Sequence, residues 1–259
     1  MEPTAVALHL RTSDRVRVLD ALRGVLAAEG LAPDPDGGPG EVRFLVSPTR
    51  GAWTSVFPEE AAFATPIAAA LAAEVGVPVV AAGHFDEAAF FLVAFDRRGA
   101  RVDDYHSCPD YAKEALEDDA GQDELDRTRG DAEALTGLLG GDAAAVASAL
   151  AAARIERLRD HDAAGPPGDA VAAAAAIARE LGLPDLLEGF EDQACLEEEG
   201  ADVRSVTFAS PEEPSALRRL LGRLEARWRG RAAAGRESPP GDEETPRPPR
   251  GEDAEGEAS

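Results

Sequence analysis

Three short apolar segments separated by tight polar breaks constrain this chain more than any other feature. They cover residues 78–82, 88–95 and 100–105, and Arg97, Arg98 and Gly99 separate the last two. Each is too short for an ordinary helix, and an arginine–glycine break between apolar runs is a hairpin signal. Such a run predicts an antiparallel meander, which needs further strands and covering helices to bury its faces.

The upstream sequence supplies both. Residues 4–10 (TAVALHL) show no helical face and read as a first strand. Thr12, Ser13 and Asp14 offer N-cap oxygens to a helix whose stripe is Val16, Leu19, Leu22 and Leu26, and Gly30 ends it. Residues 33–40 (PDPDGGPG) form a loop. Val42, Phe44 and Val46 then alternate, Pro48 stops the strand, and residues 53–57 read as its hairpin partner. A second helix carries Ile67, Leu71 and Val75 and closes on Gly76. The order β-α-β-β-α-β-β-β over residues 1–113 predicts an α+β domain with a mostly antiparallel sheet and its helices on one face.

The texture then changes. Residues 114–130 read as an acidic linker, and 131–233 as an alanine-rich helical region with one strand at 203–208 that returns to the sheet. Asp142 caps a helix carrying Val146, Leu150, Ile155 and Leu158. A break at 165–168 precedes another helix that stops at Gly182, Leu183 and Pro184. A helix at 214–231 has one apolar stripe of Leu217, Leu220, Leu221, Leu224 and Trp228. Residues 234–259 lack large apolar side chains and read as a disordered acidic tail.

Charge narrows the function classes. Fifty acidic residues face 26 basic ones, a formal charge of −24, which repels a phosphate backbone and argues against nucleic-acid binding. Lys113 is the only lysine, and the alanine–arginine bias fits either a GC-rich coding sequence or an acidic surface adapted to salt. Two cysteines make no disulfide framework. No apolar run approaches the roughly 20 residues of a transmembrane segment, and no leader pattern stands at the N-terminus, so the expected location is cytoplasmic.

Residues 53–111 carry a pattern running from a Trp-containing strand through a helix and a hairpin into Asp103, Tyr105, Ser107, Pro109 and Tyr111, in the context DDYHSCPDY. This Asp-x-Tyr-x-Ser-x-Pro-x-Tyr run, with the later ARELGLPDLLEGF segment at 178–190, resembles an uncharacterised family of bacterial proteins. The resemblance covers about a third of the chain. The sequence departs from it at Asp86–Glu87–Ala88, where the family has Asp-Ser-Asp. Phe91 also stands in place of tyrosine, and His106 in place of asparagine. The resemblance implies an α+β fold in a cytosolic bacterial protein and no particular reaction.

No G-x-S-x-G, C-x-x-C, H-E-x-x-H or P-loop pattern exists in the chain, and the Gly37–Gly40 run does not fit G-x-G-x-x-G. One constellation remains. In a meander, the turn holding His84 and Asp86 lies at the same sheet end as His106, Cys108 and Asp110. These are ligand types for zinc or another divalent metal, and Cys108 beside a histidine is also a candidate thiolate nucleophile. Asp103 and Asp104 read as a solvated edge, Tyr105 as a half-buried anchor and His9 as structural. Cys195, among acidic neighbours, reads as a poor nucleophile.

Arg218, Arg219, Arg223 and Arg227 on the 214–231 helix offer a second candidate, a surface for anionic membranes or acidic partners. The same arginines also read as counter-charges for the acidic remainder of the chain. The leading expectation is a non-catalytic module that binds another protein. The alternatives are a metal- or thiol-dependent enzyme and a peripheral binder of anionic surfaces.

Overall fold

A computed structural model describes residues 5–33, 41–85, 89–108, 128–154 and 168–209, together with 222, 223 and 226. The fold is α+β, built on one antiparallel sheet of eight strands. These are β1 (Ala5–Leu10), β2 (Ala32–Pro33), β3 (Glu41–Val46), β4 (Thr54–Pro58), β5 (Val79–Phe85), β6 (Ala89–Phe95), β7 (Arg101–His106) and β8 (Arg204–Ala209). Their spatial order is β2-β8-β3-β4-β1-β5-β6-β7, and every neighbouring pair is antiparallel. The expected meander is β5-β6-β7, and the expected hairpin is β3-β4. The strand expected at 203–208 does return to the sheet, between β2 and β3.

Helices α1 (Arg15–Ala28) and α2 (Ala64–Val75) cover one face. Asp14 starts α1 by accepting from the Arg17 amide at 3.0 Å, and Gly76 ends α2 at φ 69°, a left-handed turn natural to glycine. Their apolar stripes close over Leu8, Leu10, Phe44, Val56, Phe91 and Phe208. Phe44 meets Phe63 and Phe208 edge-on, with centroids 6.2 and 6.4 Å apart, the arrangement that ring quadrupoles favour.

The expectation of helices on one face is incomplete. Helices α3 (Ala132–Leu139), α4 (Ala143–Ala153), α5 (Gly168–Leu181) and α6 (Phe190–Glu198) form a layer on the opposite face. The cause lies in the strands. β6 reads AFFLVAF, apolar at every position, and each of its residues is buried. A strand exposed on one face alternates; a continuous apolar strand requires cover on both. Asp131 and Asp142, each accepting from two backbone amides, begin α3 and α4. The boundary between residues 113 and 131 thus separates two sequence textures, while one core of Val80, Leu92, Tyr105, Leu135, Leu150 and Ile177 runs across it.

Candidate functional site

The pairing register separates the histidines of the proposed metal cluster. β5 runs through Phe85, so His84 is a strand residue rather than a turn residue, and it sits opposite Phe90. His106, the last residue of β7, sits opposite Phe91 and stacks on that ring with centroids 5.7 Å apart. Phe90 and Phe91 are consecutive, so they face opposite sides of the sheet, as do the two histidines. Phe90 belongs to the core under α3–α5, and Phe91 to the core under α1 and α2. Cys108 follows β7, is 2% exposed and joins the core that holds Phe91. Asp86 and Asp110 lie outside the described residues. Among the described residues no group of three or more His, Cys, Asp or Glu side chains is placed to hold a metal ion.

The polar residues of β7 hold the architecture together instead. On one face, His106 Nε2 lies 3.2 Å from Asp104 Oδ1, and Arg101 donates to Asp104 Oδ2. On the other, Asp103 is buried, so it is not a solvated edge. The amide of Asp131, at the start of α3, donates to Asp103 Oδ1 at 2.9 Å. Burial raises the Asp103 carboxyl to about 6, against the lowering effect of backbone donors from Asp131 and Asp104.

Tyr105 is fully buried, and its hydroxyl donates to the Leu150 carbonyl at 2.8 Å. Arg154 donates to the carbonyls of His106 and Thr128. Three polar links therefore dock the helical layer onto the edge strand. Tyr105→Phe keeps the ring but strands the Leu150 carbonyl, and should lower stability by about 1–2 kcal/mol in urea unfolding. An unchanged midpoint would show that the hydroxyl holds nothing.

A second buried polar pair lies mid-sheet. His9 and Ser55 are register partners, with His9 Nδ1 2.8 Å from Ser55 Oγ. Burial first, and the Arg50 charge second, lower the His9 imidazole to about 3. It is neutral near pH 7 and too weakly basic to take the serine proton. His9 is structural in this geometry.

Of the arginine cluster, Arg218, Arg219 and Arg227 lie outside the described residues. Arg223 donates to the Glu29 carbonyl at 3.1 Å and stands 3.6 Å from its carboxylate at the end of α1, which makes it an intramolecular counter-charge. Cys195 is exposed on α6. No described helix is long and apolar enough to cross a membrane.

Sequence reading passed over one surface. α4 reads AAAVASALAAA and carries no charge, although Ala144, Ala147, Ser148, Ala151 and Ala152 are exposed. Beside it α5 exposes Val171, Ala172 and Ala175, and between the two helices runs a depression of about 620 Å³ floored by alanines, with Arg179 and Glu180 also in its lining. The sequence signal was the charge-free run itself, hidden by the general abundance of alanine. No known protein family, no curated protein and no solved structure matches the chain.

Proposed function

We propose that this chain is a non-catalytic cytoplasmic module that binds another protein, through the outer face of α4 and α5. One observation carries the reading. In a chain that is 29% charged, this exposed helix pair presents a face without charge across α4 and from Val171 through Ala178 of α5. Val171, one of three large hydrophobic side chains exposed among the described residues, stands on α5 a turn before Ala175. An uncharged exposed face that includes an apolar side chain marks a contact surface more than a solvated one.

The occupant that fits is an amphipathic helix of the partner. Alanine floors let a third helix approach closely, and its apolar stripe enters along the alanines, with the Arg179–Glu180 ion pair also in the lining. The test is site-specific photo-crosslinking from position 148, with position 98 on the β6–β7 turn as control. The expected result is one defined protein adduct from 148, absent from 98, and at least tenfold weaker when Ala172→Glu places a charge in the face. Ala172 is exposed, so this substitution should move stability by less than about 0.5 kcal/mol. Equal adducts from both positions, or an adduct indifferent to the new charge, would overturn the reading.

A further inference from the structure

At the end of the sheet where β1 finishes and β4 begins, three arginines from distant parts of the chain converge. Arg11 follows β1, Arg50 lies in the β3–β4 turn, and Arg179 lies in the last turn of α5. With Trp53 and Gly141 they line a crevice of about 450 Å³ whose lining contains one acid, Glu180. Three positive groups against one negative is the reverse of the chain's balance of 26 to 50.

Each guanidinium has one acceptor among the described residues. Arg11 Nη1 donates to the Leu138 carbonyl at 3.3 Å, Arg50 Nη1 to Glu188 at 2.5 Å, and Arg179 Nε to Glu180 at 3.4 Å. A guanidinium carries five N–H donors in a rigid fork that matches carboxylate and phosphate oxygens. One acceptor apiece leaves most of that capacity to the crevice. Glu188 pairs with Arg50 from outside the lining and Glu180 with Arg179 within it, which leaves the crevice three arginines against two carboxylates, a net positive charge.

We infer that this crevice binds a small oxyanion, a carboxylate or phosphate group of a soluble ligand, in the forks of Arg11, Arg50 and Arg179. The crevice shares Arg179 and Glu180 with the helix face proposed above, but the oxyanion reading does not rest on a partner binding there.

Trp53 is the natural reporter. The chain has two tryptophans, Trp53 and Trp228, so Trp228→Phe in the full chain isolates the signal. Sodium phosphate and sodium citrate are titrated separately at constant ionic strength, with sodium chloride as the reference. A saturable change in Trp53 emission with phosphate or citrate, and none with chloride, is the expected result, and the tighter of the two identifies the preferred group. Arg179→Gln alters a side chain that is 75% exposed and should weaken binding at least tenfold without moving the unfolding midpoint.

Thermal unfolding of the unsubstituted chain provides a check that needs no variant: phosphate or citrate should raise the midpoint above that in matched chloride. A linear response shared with chloride, or saturation untouched by Arg179→Gln, would overturn the inference. Arg11 and Arg179 would then serve only the carbonyl ends of α3 and α5, and Arg50 only its ion pair with Glu188.

Discussion

Replacing Asp103 with asparagine is expected to stabilise the protein above pH 6 and to do progressively less as the pH falls to 4. The carboxyl titrates at about 6 in the fold, raised chiefly by burial from an ordinary value of 3.8. Between those values the folded state holds a proton that the unfolded state has lost, so stability falls as pH rises through the window. The difference of about two units corresponds to a destabilisation on the order of 3 kcal/mol above pH 6.

His9 acts in the opposite direction. Its folded value of about 3 lies below the ordinary 6.5, so the unfolded state binds the extra proton, and stability is lost as pH falls from 6.5 toward 3. Its total is on the order of 4–5 kcal/mol. From about pH 6 to 4 the two slopes nearly cancel in the native protein. His9→Leu should therefore gain on the unsubstituted chain as pH falls, and Asp103→Asn should lose its advantage over the same range. Urea unfolding of all three proteins at half-unit steps from pH 4 to 7.5 reads both differences. If either difference is independent of pH, the corresponding group does not titrate as its burial dictates.

These two residues also show what was legible from sequence and what was not. His9 sits among apolar neighbours in a strand, and that pattern alone marked it as structural; its 2.8 Å contact with Ser55 agrees. Asp103 looked exposed because strand edges with paired carboxylates usually are. Its burial comes from residues 128–131, which return to the edge of β7 through the Arg129–Tyr105 bridge and the Asp131 amide. A contact between segments so far apart leaves no local periodicity to read. Similarly, the meander and both hairpins follow from alternation and turn residues, whereas the placement of β8 between β2 and β3 is a non-local choice. α6 is helical over FEDQACLEE despite its weak amphipathic pattern, because Phe190 and Gln193 are buried and the helix packs against β1, β3 and β4. Tertiary packing there outweighs local propensity.

The facing of the two histidines in the metal cluster was illegible for a related reason. Residue types and sheet topology place His84, His106 and Cys108 near one end of the sheet, but facing depends on parity, and parity depends on where β5 ends. Extending that strand through Phe85 sets His84 opposite Phe90 and puts it on the other face from His106. The arginine crevice was illegible for a different reason: its three cations come from three elements, and only the folded sheet brings them together.

Gly141→Ala should be among the most destabilising single substitutions in the chain, with an expected loss of about 3–5 kcal/mol. Gly141 joins α3 to α4 at φ 111°, where side chains with a Cβ are strained by their own backbone. A Cβ built there would lie 2.4 Å from the Glu180 carbonyl oxygen and 3.3 Å from its carbon. The obstructing atoms are backbone of α5, so no rotamer change relieves the clash. The α3–α4 hairpin must lift from α5, which loosens the contact among the helices that fill the second core. Gly140 provides the internal control. Its φ is also positive, at 84°, but nothing lies within 4 Å of a Cβ added there, so Gly140→Ala should carry only the backbone strain of about 1–3 kcal/mol. Urea unfolding of both variants separates the two contributions. Equal losses would mean that the close approach of Gly141 to α5 contributes nothing, and that the helical layer tolerates displacement where its backbones touch.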